Sequence, residues 1–132
     1  MNASQISKTF NNQLEEFLDD MVRVFPDNSD ILTTQTVIKQ TKKINPTLIV
    51  NIWFTYVSVP YGKQIANNDF TYFIDKDYKE DLKDISDNNS ILESIEKIKT
   101  PIKNMDENNK NTAMKYIQNL TKLSEIYISL KK

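Results

Sequence analysis

Three lysines, Lys39, Lys42 and Lys43, are the residues of this chain best spaced to meet an anion. On a helix Lys39 and Lys43 stand one turn apart with Lys42 beside them. Lys63 is the fourth base of residues 31–68, a stretch without a single acid. Such a patch suits phosphate or an acidic partner, which makes these four lysines the candidate partner-binding residues. The plainer alternative is a solvated helix end, where cations complement the negative end of the helix dipole. Three clustered lysines also supply few phosphate contacts, too few for strong nucleic-acid binding.

A second concentration of charge is Glu15, Glu16, Asp19 and Asp20. They fall in the middle and second half of a predicted helix, where the dipole does not favour anions, and Glu16 and Asp20 are like charges one turn apart. Such a face could dock a basic partner or hold a divalent cation. Carboxylates on one helix rarely converge on a metal without ligands from elsewhere, so a solvated face is the better reading. Asp75-Lys76-Asp77 opens like a calcium loop, but Lys79, Glu80 and Ser86 stand where that loop needs an oxygen ligand, a glycine and a glutamate. With 18 acids some carboxylate pair is always available for hydrolysis; nothing in the sequence selects one.

The rest of the chemical inventory is defined by absences. The 132 residues include no histidine, no cysteine and one glycine, Gly62. There is therefore no imidazole base, no thiolate, no ordinary zinc or iron–sulfur site and no disulfide. A P-loop or G-x-G-x-x-G turn cannot be written with a single glycine. We expect a non-enzyme with no catalytic, cofactor-binding or metal-binding residues. Trp53, Phe54, Tyr56 and Tyr61 form the densest aromatic cluster, and a lone Trp on an apolar helix is more often core than contact surface.

Seventeen bases against 18 acids give a net charge of −1, whereas nucleic-acid binders are usually frankly basic. The opening MNASQISKTFNNQ lacks the basic and apolar regions of a signal peptide, which points to an intracellular or particle setting. Residues 44–62 are uncharged, but Asn45, Pro46, Asn51, Thr55 and Pro60 interrupt them. A buried central helix is expected there, not a membrane span.

Apolar period sets out the elements that must position these residues. Ile6, Phe10, Leu14, Phe17, Leu18, Met21 and Phe25 recur every three or four residues, predicting a helix over 4–25 that ends before Pro26. Asn28 or Ser29 can cap a second helix, through about Lys43, with Ile31, Thr34 and Ile38 on its buried side. Asn45-Pro46 reads as a cap and first helical residue for a third helix, apolar nearly all round. PYGKQIANND suggests a turn and a short helix, and 69–88 suggest short helices broken near Asp75. Ser90 is placed to cap a helix that stops or kinks at Pro101. Asp106 opens the last helix, with Met114, Ile117, Leu120, Leu123, Ile126 or Tyr127, and Leu130 in period. The expected fold is an all-α, single-domain bundle of about five to seven helices over 1–132, with the long terminal helices packed on the central apolar one.

Four segments carry a resemblance: residues 10–30 (FNNQLEEFLDDMVRVFPDNSD), the Asn45-Pro46 step, residues 59–70 (VPYGKQIANNDF) and residues 104–127 (NMDENNKNTAMKYIQNLTKLSEIY). Over about residues 8–128 the chain resembles a group of short helical proteins encoded by giant nucleocytoplasmic DNA viruses. Sixteen Lys to one Arg, 16 Ile, 15 Asn and only three Ala agree with the AT-rich coding of such a source. The resemblance implies a setting, the virion or the viral factory in the host cytoplasm, and carries no active-site residue. The expected function is that of a small non-enzymatic helical protein acting through contacts with a viral or host protein. A homo-oligomer through the last helix is possible, and no membrane is involved. The competing expectation is an accessory nucleic-acid-binding or transcription-associated protein using the four lysines.

Overall fold

A computed structural model of the chain describes residues 2–75 and 89–131. Its elements are α1 (Ala3–Val24), α2 (Ser29–Ile44), α3 (Leu48–Trp53), a π-helical turn (Phe54–Ser58), α4 (Val59–Ala66), α5 (Thr71–Asp75), α6 (Asn89–Lys103) and α7 (Glu107–Lys131). No strand occurs among the described residues, and the fold is the all-α bundle that the apolar period requires.

Helices α1, α2 and α7 each start where a side chain can take over an orphan backbone donor. Asn2 and Gln5 close a capping box on α1, each side chain accepting from the other's N–H at 2.9 Å. Asn28 caps α2 through Ile31 N–H at 3.1 Å, and Asp106 caps α7 through Asn109 N–H at 2.8 Å. The apolar face of α1 is buried as its spacing demands, from Ile6 and Phe10 through Leu14, Phe17, Leu18 and Met21. It lies antiparallel to α7, with Phe17 stacked on Tyr116 at 5.2 Å between ring centroids. Helix α2 is clasped between α1 and α6, while α3, the π turn and α4 run beneath α7.

Four expectations are corrected. Asn45 ends α2 rather than capping α3; Thr47 precedes α3 without a side-chain cap. The Pro46 carbonyl, which has no helical partner, accepts instead from Ser7 Oγ at 3.1 Å and Asn11 Nδ2 at 2.8 Å of α1. No turn interrupts the chain at Pro60. Ser58 and Val59 keep right-handed helical dihedrals and the helix runs on to Ala66. A proline inside a helix lacks an N–H and crowds the carbonyl one turn back; the π turn just before it widens the backbone where that crowding falls. Ser90 lies within α6, which continues two residues past Pro101. On α7 the buried stripe is Ala113, Ile117, Leu120, Thr121, Ser124 and Tyr127, while Ile126 and Leu130 are exposed. The expectations for Lys76–Asp77, Leu82 and Ile85 lie outside the described residues.

The buried hydroxyls of α7 have partners. Trp53, 1% exposed, donates from Nε1 to Thr121 Oγ1 at 3.1 Å, and Ser58 Oγ lies 2.6 Å from Ser124 Oγ. A polar group buried without a partner costs about 1–3 kcal/mol, so these bonds set the register of α7 on the central helix. Gly62 is where α4 comes closest: a Cβ there would meet Glu125 Oε1 at 3.0 Å, the mobile end of an exposed side chain.

Two expected outcomes follow from this packing. Thr121→Val, which removes the acceptor of a buried indole, lowers unfolding stability by about 1–3 kcal/mol. Urea unfolding followed by Trp53 fluorescence reads it. Gly62→Ala, by contrast, leaves stability unchanged or raises it by up to about 1 kcal/mol, because the helix gains propensity and Glu125 can swing aside. A large loss at Gly62→Ala would mean that the α4–α7 spacing is set by the glycine itself.

Candidate functional site

The acids of α1 and the lysines of α2 meet each other. Lys42 Nζ lies 3.3 Å from Glu15 Oε2, and Gln35 Nε2 donates to Asp19 Oδ1 at 2.8 Å, so two side-chain bridges tie α2 to α1. Asp20 pairs with Arg23 on the same helix, and Glu16 accepts from Gln13 at 3.1 Å. Two features that look like separate binding faces in the sequence are thus largely one helix–helix seam. Lys39 and Lys43 remain exposed on α2. Lys63 is exposed on α4, whose main neighbours are the π turn, α5 and α7 rather than α2. The four candidate lysines do not form one patch. Among the described residues no group of three His, Cys, Asp or Glu gathers as a metal site.

Of the aromatic cluster, Trp53 is core, while Phe54, Tyr56 and Tyr61 are half-buried. Trp53 packs edge-on against Phe10 at 6.0 Å and against Phe73 at 6.2 Å, and Phe73 in turn meets Tyr61 at 6.2 Å. Beneath Phe73 sits a residue that pattern reading passed over. Lys99 is 2% exposed, its ammonium 4.7 Å from the Phe73 ring centroid and 3.3 Å from Glu96 Oε2. That last contact is one of charge, since Glu96 Oε2 has no aligned hydrogen bond. The available signal was its place in the α6 stripe, one turn from Ile95 and flanked by Ile98 and Ile102.

A cavity of about 690 Å³ opens between the first half of α7 and the chain leaving α4. Its α7 wall is built from positions 110, 111, 114, 115 and 118, none of which belongs to the buried stripe of that helix. Phe70, Ile74, Ile102 and Met114 make the floor apolar. Lys110 and Lys115 bring positive charge to the rim beside Lys103, which is already engaged, and the described lining residues include no carboxylate. The amide rim is held in place: Gln118 Nε2 donates to Ile65 O at 3.0 Å and to Asn68 Oδ1 at 2.8 Å. Asn68 itself has φ +63°, a left-handed conformation Asn tolerates better than most residues. Apolar floor, cationic rim and fixed amides together suit a ligand with an apolar side and negative charge. Sequence reading missed this site because its lysines are spread along 103–115 and its floor comes from three separate helices.

No family model, curated protein or solved structure matches the chain. Among the described residues no helix is long and apolar enough to cross a membrane.

The seam between α1 and α2 has a simple test. Lys42→Glu and Glu15→Lys should each lower thermal stability slightly, and the charge-swapped double variant should recover most of the loss. A double-mutant cycle should give a coupling below about 1 kcal/mol, as for a partly exposed ion pair.

Proposed function

We propose that this chain is a non-enzymatic helical protein that works by holding an acidic, amphipathic segment of a protein partner in the cleft between α5, α6 and α7. The setting implied by the resemblance is a virion or viral factory. The observation that carries the reading is the pairing of an apolar floor with Lys110 and Lys115 on the cleft wall, which form no ion pair among the described residues. Helix-in-groove recognition needs this combination: apolar anchors at successive turns give affinity, and complementary charge selects the partner. Met114 adds an adaptable contact, since its unbranched side chain repacks around differently shaped anchors.

The test is a pull-down from infected cells with the wild-type chain and with a Lys110→Glu/Met114→Asp/Lys115→Glu variant, nuclease-treated and untreated. Lys110 and Met114 are half-buried, Met114 against the edge of the core, and Lys115 is exposed, so circular dichroism must accompany the comparison. The expected result is a partner that survives nuclease and is lost with the variant, while the variant's circular dichroism matches the wild type. Loss with nuclease would instead favour the accessory nucleic-acid reading. Equal capture by both chains would remove the cleft from the mechanism.

A further inference from the structure

Helix α5, Thr71–Asp75, is five residues long, too short to hold its shape without the rest of the molecule. Asp69 Oδ1 accepts from Thr71 N–H at 3.3 Å at its start, and Ile74 N–H donates to Phe70 O at 2.9 Å. Among its described side chains, Phe73 is the one fully buried, at 1% exposed. The Phe73 ring lies 6.2 Å from those of Trp53 and Tyr61, and the Lys99 ammonium is 4.7 Å from its centroid. Phe70 and Ile74, before and after it, are half-buried and form part of the cleft floor.

Apolar pattern alone does not say which of these residues should be buried. Phe70, Phe73 and Ile74 stand at i, i+3 and i+4, on one side of a helix, and each is large and apolar. Neighbouring residues lie about 100° apart around the axis, so a modest roll of α5 exchanges Phe73 for Ile74. Against a purely apolar wall the two seatings would differ little. The wall is not purely apolar. Lys99 stands among Ile95, Ile98 and Ile102 on α6, where another aliphatic residue would cost less to bury than an ammonium. Glu96 Oε2, 3.3 Å away, and further contacts of Lys99 offset part of that cost. An ammonium is attracted to the face of an aromatic ring, which carries partial negative charge, and gains nothing from an aliphatic side chain.

From this selectivity we infer that Lys99 is the positioning residue of the partner cleft. Its buried ammonium favours the Phe73 ring over Ile74, which fixes the roll of α5 and sets Phe70 and Ile74 on the cleft floor. The inference rests on the cleft being the partner site. Lys99 is not among the described lining residues and acts through Phe73. A buried charge is kept here to select one arrangement rather than to add stability, as a lone buried polar residue sets the register of paired helices.

The test uses Lys99→Met, Phe73→Leu and their double variant in the full chain, followed by amide hydrogen exchange and thermal unfolding. Lys99→Met keeps most of the side chain's length and removes its charge. It should lower protection of the Ile74 amide about ten-fold, with the thermal midpoint unchanged or raised. The double variant should lose no more protection than Phe73→Leu alone, because ring and ammonium act as a pair. Unchanged Ile74 protection in Lys99→Met, additive losses in the double variant, or a midpoint that falls in step with the protection would each overturn the inference. Lys99→Met should also lose the nuclease-resistant partner, as the cleft-wall variant does. A partner kept by Lys99→Met but lost with the cleft-wall variant would overturn the role of Lys99 and leave the cleft standing. Hydrogen exchange needs no partner, so failure of the cleft itself is read separately, in the capture experiment.

Discussion

The central helix, residues 48–66, has apolar side chains on nearly every side, and the other helices are arranged as its burial requires. Ile49, Val50, Ile52, Trp53 and Val57 are each at most 3% exposed. No single neighbour can cover residues that point in all these directions. Helix α7 crosses one side, α1 and α2 close another, and α6 touches α3 while bracing α2. Pro60 complicates the arrangement because it removes one backbone donor from the same helix. The π turn before it absorbs that defect without ending the helix. Ser58 and Trp53 then reach the hydroxyls of α7, and these bonds keep the wider turn in register with its cover.

Polar residues inside the bundle mostly have structural duties. Ser7 and Asn11 interrupt the apolar face of α1, yet together they hold the Pro46 carbonyl at the bend between α2 and α3. Lys99 lies against Phe73 and Glu96, where a buried ammonium finds an aromatic face and a carboxylate at once. Glu15 and Asp19, which on an isolated helix are an unfavourable acidic run, bind Lys42 and Gln35 across the helix seam. What is left over is informative for the same reason. Lys110 and Lys115, on the wall of the α7 cleft, form no ion pair among the described residues. Charge that the fold does not use internally is available to a partner.

Helix α7 shows where periodicity misleads. Its apolar residues fall in helical step from Met114 to Leu130, but the side that is buried runs through Ala113, Thr121 and Ser124. Small residues let α7 approach the central helix closely, and the approach is stabilised by hydrogen bonds that no count of apolar positions registers. Ile126 and Leu130 are left at the surface as a result, 38% and 46% exposed.

By itself the sequence determined the all-helical class, the extents of α1, α2 and α7 to within a few residues, and the burial of Trp53. Each of these depends on local signals: apolar spacing, capping side chains, and proline where a helix must stop. It also excluded histidine and thiolate chemistry outright. Only the tertiary structure decided whether Pro60 broke or merely widened its helix, and which lysines kept company. Lys42 looks one with Lys39 and Lys43 along the chain, yet it faces Glu15 and shares a cavity with Lys8 and Lys131. Charges act through space, over a few ångströms, and residues 8, 42 and 131 become neighbours only once three helices have packed.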